Sequence, residues 1–147
     1  MKKKVLFVCI HNSARSQMAE ALLNSICGEF FAAQSCGMTP AKLNPLAVAV
    51  MAELGLDISQ NETKDIFPFI RQHPTFDYVI TVCDETTGQN CPTFPRNTTR
   101  LQWSFLAPSA LTGTPEEKLQ RTREVRDALA ARIYAWCEEV CGVQLAA

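Results

Sequence analysis

The sequence predicts an α/β fold of three layers, a small four-stranded parallel sheet flanked by helices. Two observations lead there. Short β-type apolar runs alternate with stretches of helical periodicity, the pattern of a parallel sheet with helices on both faces. The 147 residues suit one domain with an ordinary core, and no repeat, low-complexity tract or linker divides them, so residues 1–147 read as a single domain.

The elements follow in order. Lys4–Cys9 is the first strand. A helix over Ser16–Ile26 places Met18, Ala19, Leu22, Leu23 and Ile26 on one face. Phe30–Cys36 is the second strand. Asn44 caps a helix that has Pro45 in its first turn, runs to Leu54 and stops at Gly55. Asp77–Val82 is a buried strand and Thr99–Trp103 a short fourth one. The last helix opens with a capping box, Thr114 at the N-cap, Pro115 at N1 and Glu117 at N3. It runs to Cys141, with Leu119, Val125, Leu129, Ile133 and Trp136 as its buried stripe.

Composition excludes several classes. Fourteen Lys and Arg against fifteen Asp and Glu leave a net charge of −1, so no broad attraction to nucleic acid is expected. After Lys2-Lys3-Lys4 the apolar stretch ends at Ile10, too short for a secretory signal, and no segment is long enough to span a membrane. A cytoplasmic location is the expectation. Seven cysteines cannot all pair within one chain, and a reducing compartment argues against a disulfide framework. No two are spaced as CxxC, so a structural zinc site is not expected. Reactive thiols remain as an explanation for some.

Val5-Leu6-Phe7-Val8-Cys9-Ile10-His11-Asn12-Ser13-Ala14-Arg15-Ser16 is the most informative segment. A strand ends in a cysteine, a loop follows, and a helix begins at an arginine and a serine. The loop N–H groups of Ile10, His11, Asn12, Ser13, Ala14 and Arg15 are placed to converge on an oxyanion, helped by the positive helix end. The Arg15 fork matches such a ligand. The same features are expected to hold Cys9 as a thiolate nucleophile. A cysteine is often only a small buried hydrophobe, but strand, loop, helix, Arg15 and Ser16 together argue otherwise.

The second segment is Thr81-Val82-Cys83-Asp84-Glu85-Thr86-Thr87-Gly88-Gln89-Asn90-Cys91-Pro92. Cys83 ends a strand, so it is expected on the sheet edge that carries Cys9, where open α/β sheets bind ligands. Cys91 follows in a polar loop with little to anchor it. Thiols so placed suit a relay of thiol–disulfide exchange; the plainer alternative is two ordinary loop cysteines.

Cys9-Ile10-His11-Asn12-Ser13-Ala14-Arg15-Ser16-Gln17-Met18-Ala19-Glu20 resembles the active-site loop of arsenate reductases built on the low-molecular-weight tyrosine phosphatase fold. Cys83…Cys91-Pro92 resembles that family's redox loop, and Trp103-Ser104-Phe105 and Arg123-Glu124-Val125-Arg126-Asp127 its C-terminal third. The resemblance implies reduction of arsenate to arsenite by a three-cysteine relay. Cys9 attacks arsenate, Cys83 resolves the adduct as a Cys9–Cys83 disulfide, and Cys91 forms the final Cys83–Cys91 disulfide. Thioredoxin, or alternatively glutaredoxin, then resets the chain. It also implies that Ser16 donates to Cys9 and that phosphate and sulfate compete for the loop. No cofactor is required. Counterparts of Asn12 and Glu20 help hold a potassium ion in some relatives, but no metal is expected here, and Asn12 is read as bracing the loop.

One departure matters. Family members carry an Asp-Pro pair after the Trp-containing strand, the Asp acting as general acid; here the positions read Leu106-Ala107-Pro108. General acid catalysis is commonly worth about 10²–10⁴-fold, and its loss should weaken phosphomonoester hydrolysis more than arsenate reduction. Asp84 or Glu85 are candidates to replace it. His11 is read as contributing its backbone N–H and His73 as lying in a solvated surface turn before Pro74. Cys27, Cys36, Cys137 and Cys141 are read mostly as packing residues. A tyrosine phosphatase using Cys9 and Arg15 is the alternative, and a non-enzymatic oxyanion or redox sensor the third reading.

Overall fold

The computed structural model describes residues 2–82, 98–105 and 111–142. Its elements are β1 (Lys3–Cys9), α1 (Arg15–Ile26), β2 (Phe31–Gly37), α2 (Pro45–Ala52), α3 (Ile66–Gln72), β3 (Tyr78–Thr81), β4 (Thr99–Gln102) and α4 (Pro115–Cys141). All strand pairs are parallel, in the order β2-β1-β3-β4. The chain adds β2 on one side of β1 and β3 on the other. The sheet therefore reverses its direction of growth between β1 and β3, which is where open α/β sheets bind ligands. Cys9 ends β1 at that point.

Side chains of β1 alternate between the two faces. Val5, Phe7 and Cys9 pack with residues of α1, α2 and α4, including Met18, Leu22, Leu23, Val50, Leu129, Ile133 and Trp136. Leu6 and Val8 point the other way, into a smaller core with Cys36, Val79, Ile66, Phe69 and Phe76. The three expected layers are present. The second face is covered by α3, which periodicity did not reveal. This helix is seven residues long, with Pro68 in its first turn, where a missing N–H costs nothing. Its one signal was Asp65, whose side chain accepts from the Phe67 N–H (3.0 Å).

Element ends differ slightly from the sequence reading. Helix α2 stops at Ala52, before Leu54, with Gly55 left-handed (φ 76°) just beyond. Asp77 precedes β3, where its carboxylate accepts from the Lys4 N–H (2.8 Å). His73, expected in a solvated turn, is half-buried; its N–H closes the end of α3 and its ring lies 4.8 Å from that of Phe69. Asn44 caps α2 through Leu46, and Thr114 and Glu117 form the capping box of α4.

Glu53, just past α2, accepts from Arg123 (2.9 Å to Oε2) and Arg126 (2.7 Å) of α4. These hydrogen bonds hold its carboxyl at about 2. A depressed acid stabilises the fold above its unfolded value and loses that contribution as pH falls through the folded one. Glu53→Gln should therefore lower the melting temperature at neutral pH, and the difference from the parent should shrink as pH drops from about 4.5 toward 2 in thermal melts.

Candidate active site

Residues 10–14 turn the chain from β1 into α1. The carbonyls of Cys9, Ile10, His11 and Ser13 accept from the N–H groups of Met38, Thr39, Ala41 and Asn44 (3.0, 2.7, 3.1 and 2.9 Å). Carbonyls turned outward leave the loop's N–H groups facing inward, and the Asn12 N–H donates to Cys9 Sγ (3.0 Å). Gly37 permits this close packing. A Cβ there would stand 2.8 Å from Asn12 N and 2.9 Å from the His11 carbonyl carbon.

Asn12 holds the loop's shape. Its backbone is left-handed (φ 51°), a region asparagine tolerates better than most residues, and it is fully buried. Its Nδ2 donates to Ser16 Oγ (2.7 Å) and Ser35 Oγ (3.0 Å), while its Oδ1 accepts from the Lys64 N–H (2.9 Å) and Gln17 Nε2 (3.1 Å). All four bonding positions are used. Because Asn12 donates to the Ser16 hydroxyl oxygen, the hydroxyl proton is left to face Cys9 Sγ, 2.9 Å away. Ser35 in turn donates to Glu20 (2.9 Å), whose carboxyl burial pushes up while Lys64, 3.9 Å away, pulls it down.

Arg15 begins α1 and is only 4 % exposed. Its Nη1 donates to the Phe105 carbonyl (3.1 Å), just past β4. The N-terminus of α1 has no side-chain cap and no acidic residue in its first turn, so its free N–H groups and dipole face the loop uncompensated. His11 Nδ1 lies 3.1 Å from the Thr39 carbonyl; a carbonyl only accepts, so the ring donates from Nδ1. A nucleophilic sulfur, inward N–H groups, an open helix end and a guanidinium thus meet at one edge of the sheet, an arrangement able to hold a tetrahedral oxyanion against a thiol.

Cys83 and Cys91, together with Asp84, Glu85 and Leu106-Ala107-Pro108, lie outside the described residues. Val82 is described, and its N–H donates to the Val8 carbonyl (2.9 Å). The sequence reading passed over Ser35, Gln17 and Gly37. A serine fully buried near the end of an otherwise apolar strand was the available signal for Ser35; the crowding at Gly37 had none. Among the described residues, no group of three or more His, Cys, Asp or Glu side chains is arranged to hold a metal ion, and no helix is long and apolar enough to cross a membrane.

Residues 4–140 match the family model of low molecular weight phosphotyrosine protein phosphatase, and the chain belongs to that family. Within it, its relatives are arsenate reductases. The arsenate reductase of Halalkalibacterium halodurans is 37% identical over 137 residues, covering 93% of this chain and 96% of that one. A solved arsenate reductase in the phosphate binding state has a TM-score of 0.75 at 31% identity, covering 94% of this chain and 98% of the other. The thioredoxin-dependent arsenate reductase of Corynebacterium glutamicum has a TM-score of 0.71 at 28% identity, covering 97% of this chain and 63% of the other. The chain stands on the arsenate reductase branch of the family.

Two substitutions probe the loop. Asn12→Ala leaves buried polar partners unpaired, and at about 1–3 kcal/mol for each such group it should cost about 2–4 kcal/mol in urea unfolding. Gly37→Ala should cost less stability but displace the loop; phosphate affinity measured calorimetrically is expected to fall about tenfold or more.

Proposed function

We propose that this chain reduces arsenate to arsenite through Cys9, Cys83 and Cys91, and that thioredoxin returns it to the dithiol state. The observation that carries the reading is the Cys9 site itself, a sulfur facing inward N–H groups beside a buried Arg15. Arsenate enters as a phosphate-like anion, held by the N–H groups of residues 10–15 and by Arg15, with phosphate and sulfate as competitors. Cys9 Sγ attacks arsenic and one oxygen leaves as water or hydroxide, giving a sulfur–arsenic bond with arsenic still pentavalent. Ser16 and the Asn12 N–H orient the sulfur.

Cys83 then attacks Cys9 Sγ. A sulfur–sulfur bond forms, the sulfur–arsenic pair passes to arsenic, and arsenite departs. Cys91 attacks Cys83, freeing Cys9 and leaving a Cys83–Cys91 disulfide for the reductant. The Val82–Val8 hydrogen bond supports this order, since it pairs the residues just before Cys83 and Cys9. Ala107 stands where relatives of the phosphatase type place a general acid, which favours a departing hydroxide or water over a phenolate. Chemistry that ends in a disulfide and needs a dithiol reductant belongs in the cytoplasm.

Thioredoxin-coupled NADPH oxidation on adding arsenate tests the reading. Cys83→Ser should abolish turnover and any burst, a loss of about 1,000-fold or more. Cys91→Ser should release arsenite once per chain and then stall with Cys9 bonded to Cys83. Wild-type turnover in either variant would overturn the relay; aryl phosphate hydrolysis unaffected by both would point to a phosphatase.

A further inference from the structure

Three thiols take no part in this chemistry and lie at the other end of the sheet. Cys27 follows the last residue of α1, where its N–H closes the helix on the Leu23 carbonyl. Cys137 and Cys141 stand one turn apart on α4, on the same face. Cys27 and Cys137 are buried in the larger core, and Cys141 packs against it, partly exposed. The Cys27 thiol is within hydrogen-bonding reach of both the Cys137 and Cys141 thiols. The cluster lies near Lys3, at the start of β1, whereas Cys9 ends that strand; seven residues of strand separate the two edges by about 20 Å.

We propose that Cys27, Cys137 and Cys141 form a trithiol site for trivalent arsenic, the product of the proposed reaction. Trivalent arsenic is soft and three-coordinate, and it bonds to sulfur in preference to oxygen. The step is a condensation, not a redox reaction. Three sulfur–arsenic bonds replace three arsenic–oxygen bonds of arsenous acid, and each thiol proton leaves on an oxygen as water. The overall reaction is neutral, so it leaves no charge in the core.

That neutrality selects the ligand. Burial, with the neighbouring thiols, pushes Cys137 and Cys141 well above the usual thiol range, and for Cys141 the Lys3 ammonium opposes the shift. A divalent metal would need these thiols ionised in an apolar setting, and the described residues hold no ready-made metal cage. Arsenous acid brings its own proton acceptors. Entry runs through Cys141, which is partly exposed, beside Lys3, and on the final turn of α4 before the left-handed Gly142. That turn is free to fray, letting the sulfurs close on arsenic one after another.

The proposal takes from the proposed function only that arsenite is the product. Its test therefore uses the full chain with Cys9, Cys83 and Cys91 all replaced by Ser, reduced, mixed with sodium arsenite and gel-filtered. Stoichiometric retained arsenic with three sulfur neighbours by X-ray absorption is the expected result. Adding Cys27→Ala, or the partly exposed Cys141→Ala, should abolish retention, while Cys36→Ala, on the opposite sheet face, should leave it intact. No retention, retention that survives both Cys27→Ala and Cys141→Ala, or retention of zinc but not arsenite would overturn the site. In the otherwise wild-type chain, Cys27→Ala should leave arsenate turnover unchanged. An inactive parent enzyme that still retains arsenite would sink the relay and leave the trithiol site standing.

Discussion

The site depends on a single buried amide. Asn12 combines a left-handed backbone with a side chain whose two donors and two acceptor positions are all engaged. A left-handed residue without a glycine's freedom persists only where its surroundings over-determine it, and here they do so from three directions: α1 through Ser16 and Gln17, β2 through Ser35, and the segment before α3 through Lys64. The loop around Cys9 is thus fastened to three separate pieces of chain. Its shape is a property of the fold and does not wait for a ligand, the preorganisation an anion site needs if donors are to act without reorganising.

The second constraint runs outward from the same loop. Segment 38–44 takes up the loop carbonyls, and it reaches them because β2 ends in a glycine against the loop backbone. Asn44 serves twice, its N–H holding the Ser13 carbonyl and its side chain capping α2. Cationic help is sparse by comparison. Arg15 is the buried cation beside the loop, and Lys64 is drawn toward Glu20. Backbone N–H groups and a helix end therefore carry most of the anion recognition. This fits a chain with almost no net charge, whose attraction for an oxyanion is local and short-ranged.

The sheet, its parallel pairing and five of the elements flanking or forming the Cys9 edge were legible because alternation and caps are written in contiguous residues. Asn44, Thr114 and Glu117 announce their helices by side-chain chemistry alone. Helix α3 escaped because seven residues with a proline show no full period, although Asp65 marked its start. The cradle was legible at Cys9, Arg15 and Ser16, where residue types adjoin in sequence. Its supports were not: Ser35, Lys64 and Gly37 reach Asn12 only through tertiary packing, and no spacing rule links residue 12 to residue 64. The same limit hid the meeting of Cys27 with Cys137 and Cys141, residues at the ends of two helices far apart in the chain.

Identical side chains thus have different chemistry at the two sheet edges, and the backbone decides which. At the C-terminal edge, strand ends and a helix N-terminus turn donors toward the Cys9 sulfur, suiting it to meet an anion. At the opposite edge, helix C-termini bring carbonyls, aromatic rings and other thiols, and Cys137 beside Trp136 finds no donor-rich loop. A thiol there stays protonated and meets only neutral ligands. In a parallel sheet this asymmetry is unavoidable, since every strand points the same way and every crossover helix runs back against it. An oxyanion is recognised at one edge and repelled at the other, whereas a neutral, thiol-seeking product has no such bar. The fold separates the pentavalent and trivalent forms of one element by charge before any side chain is chosen.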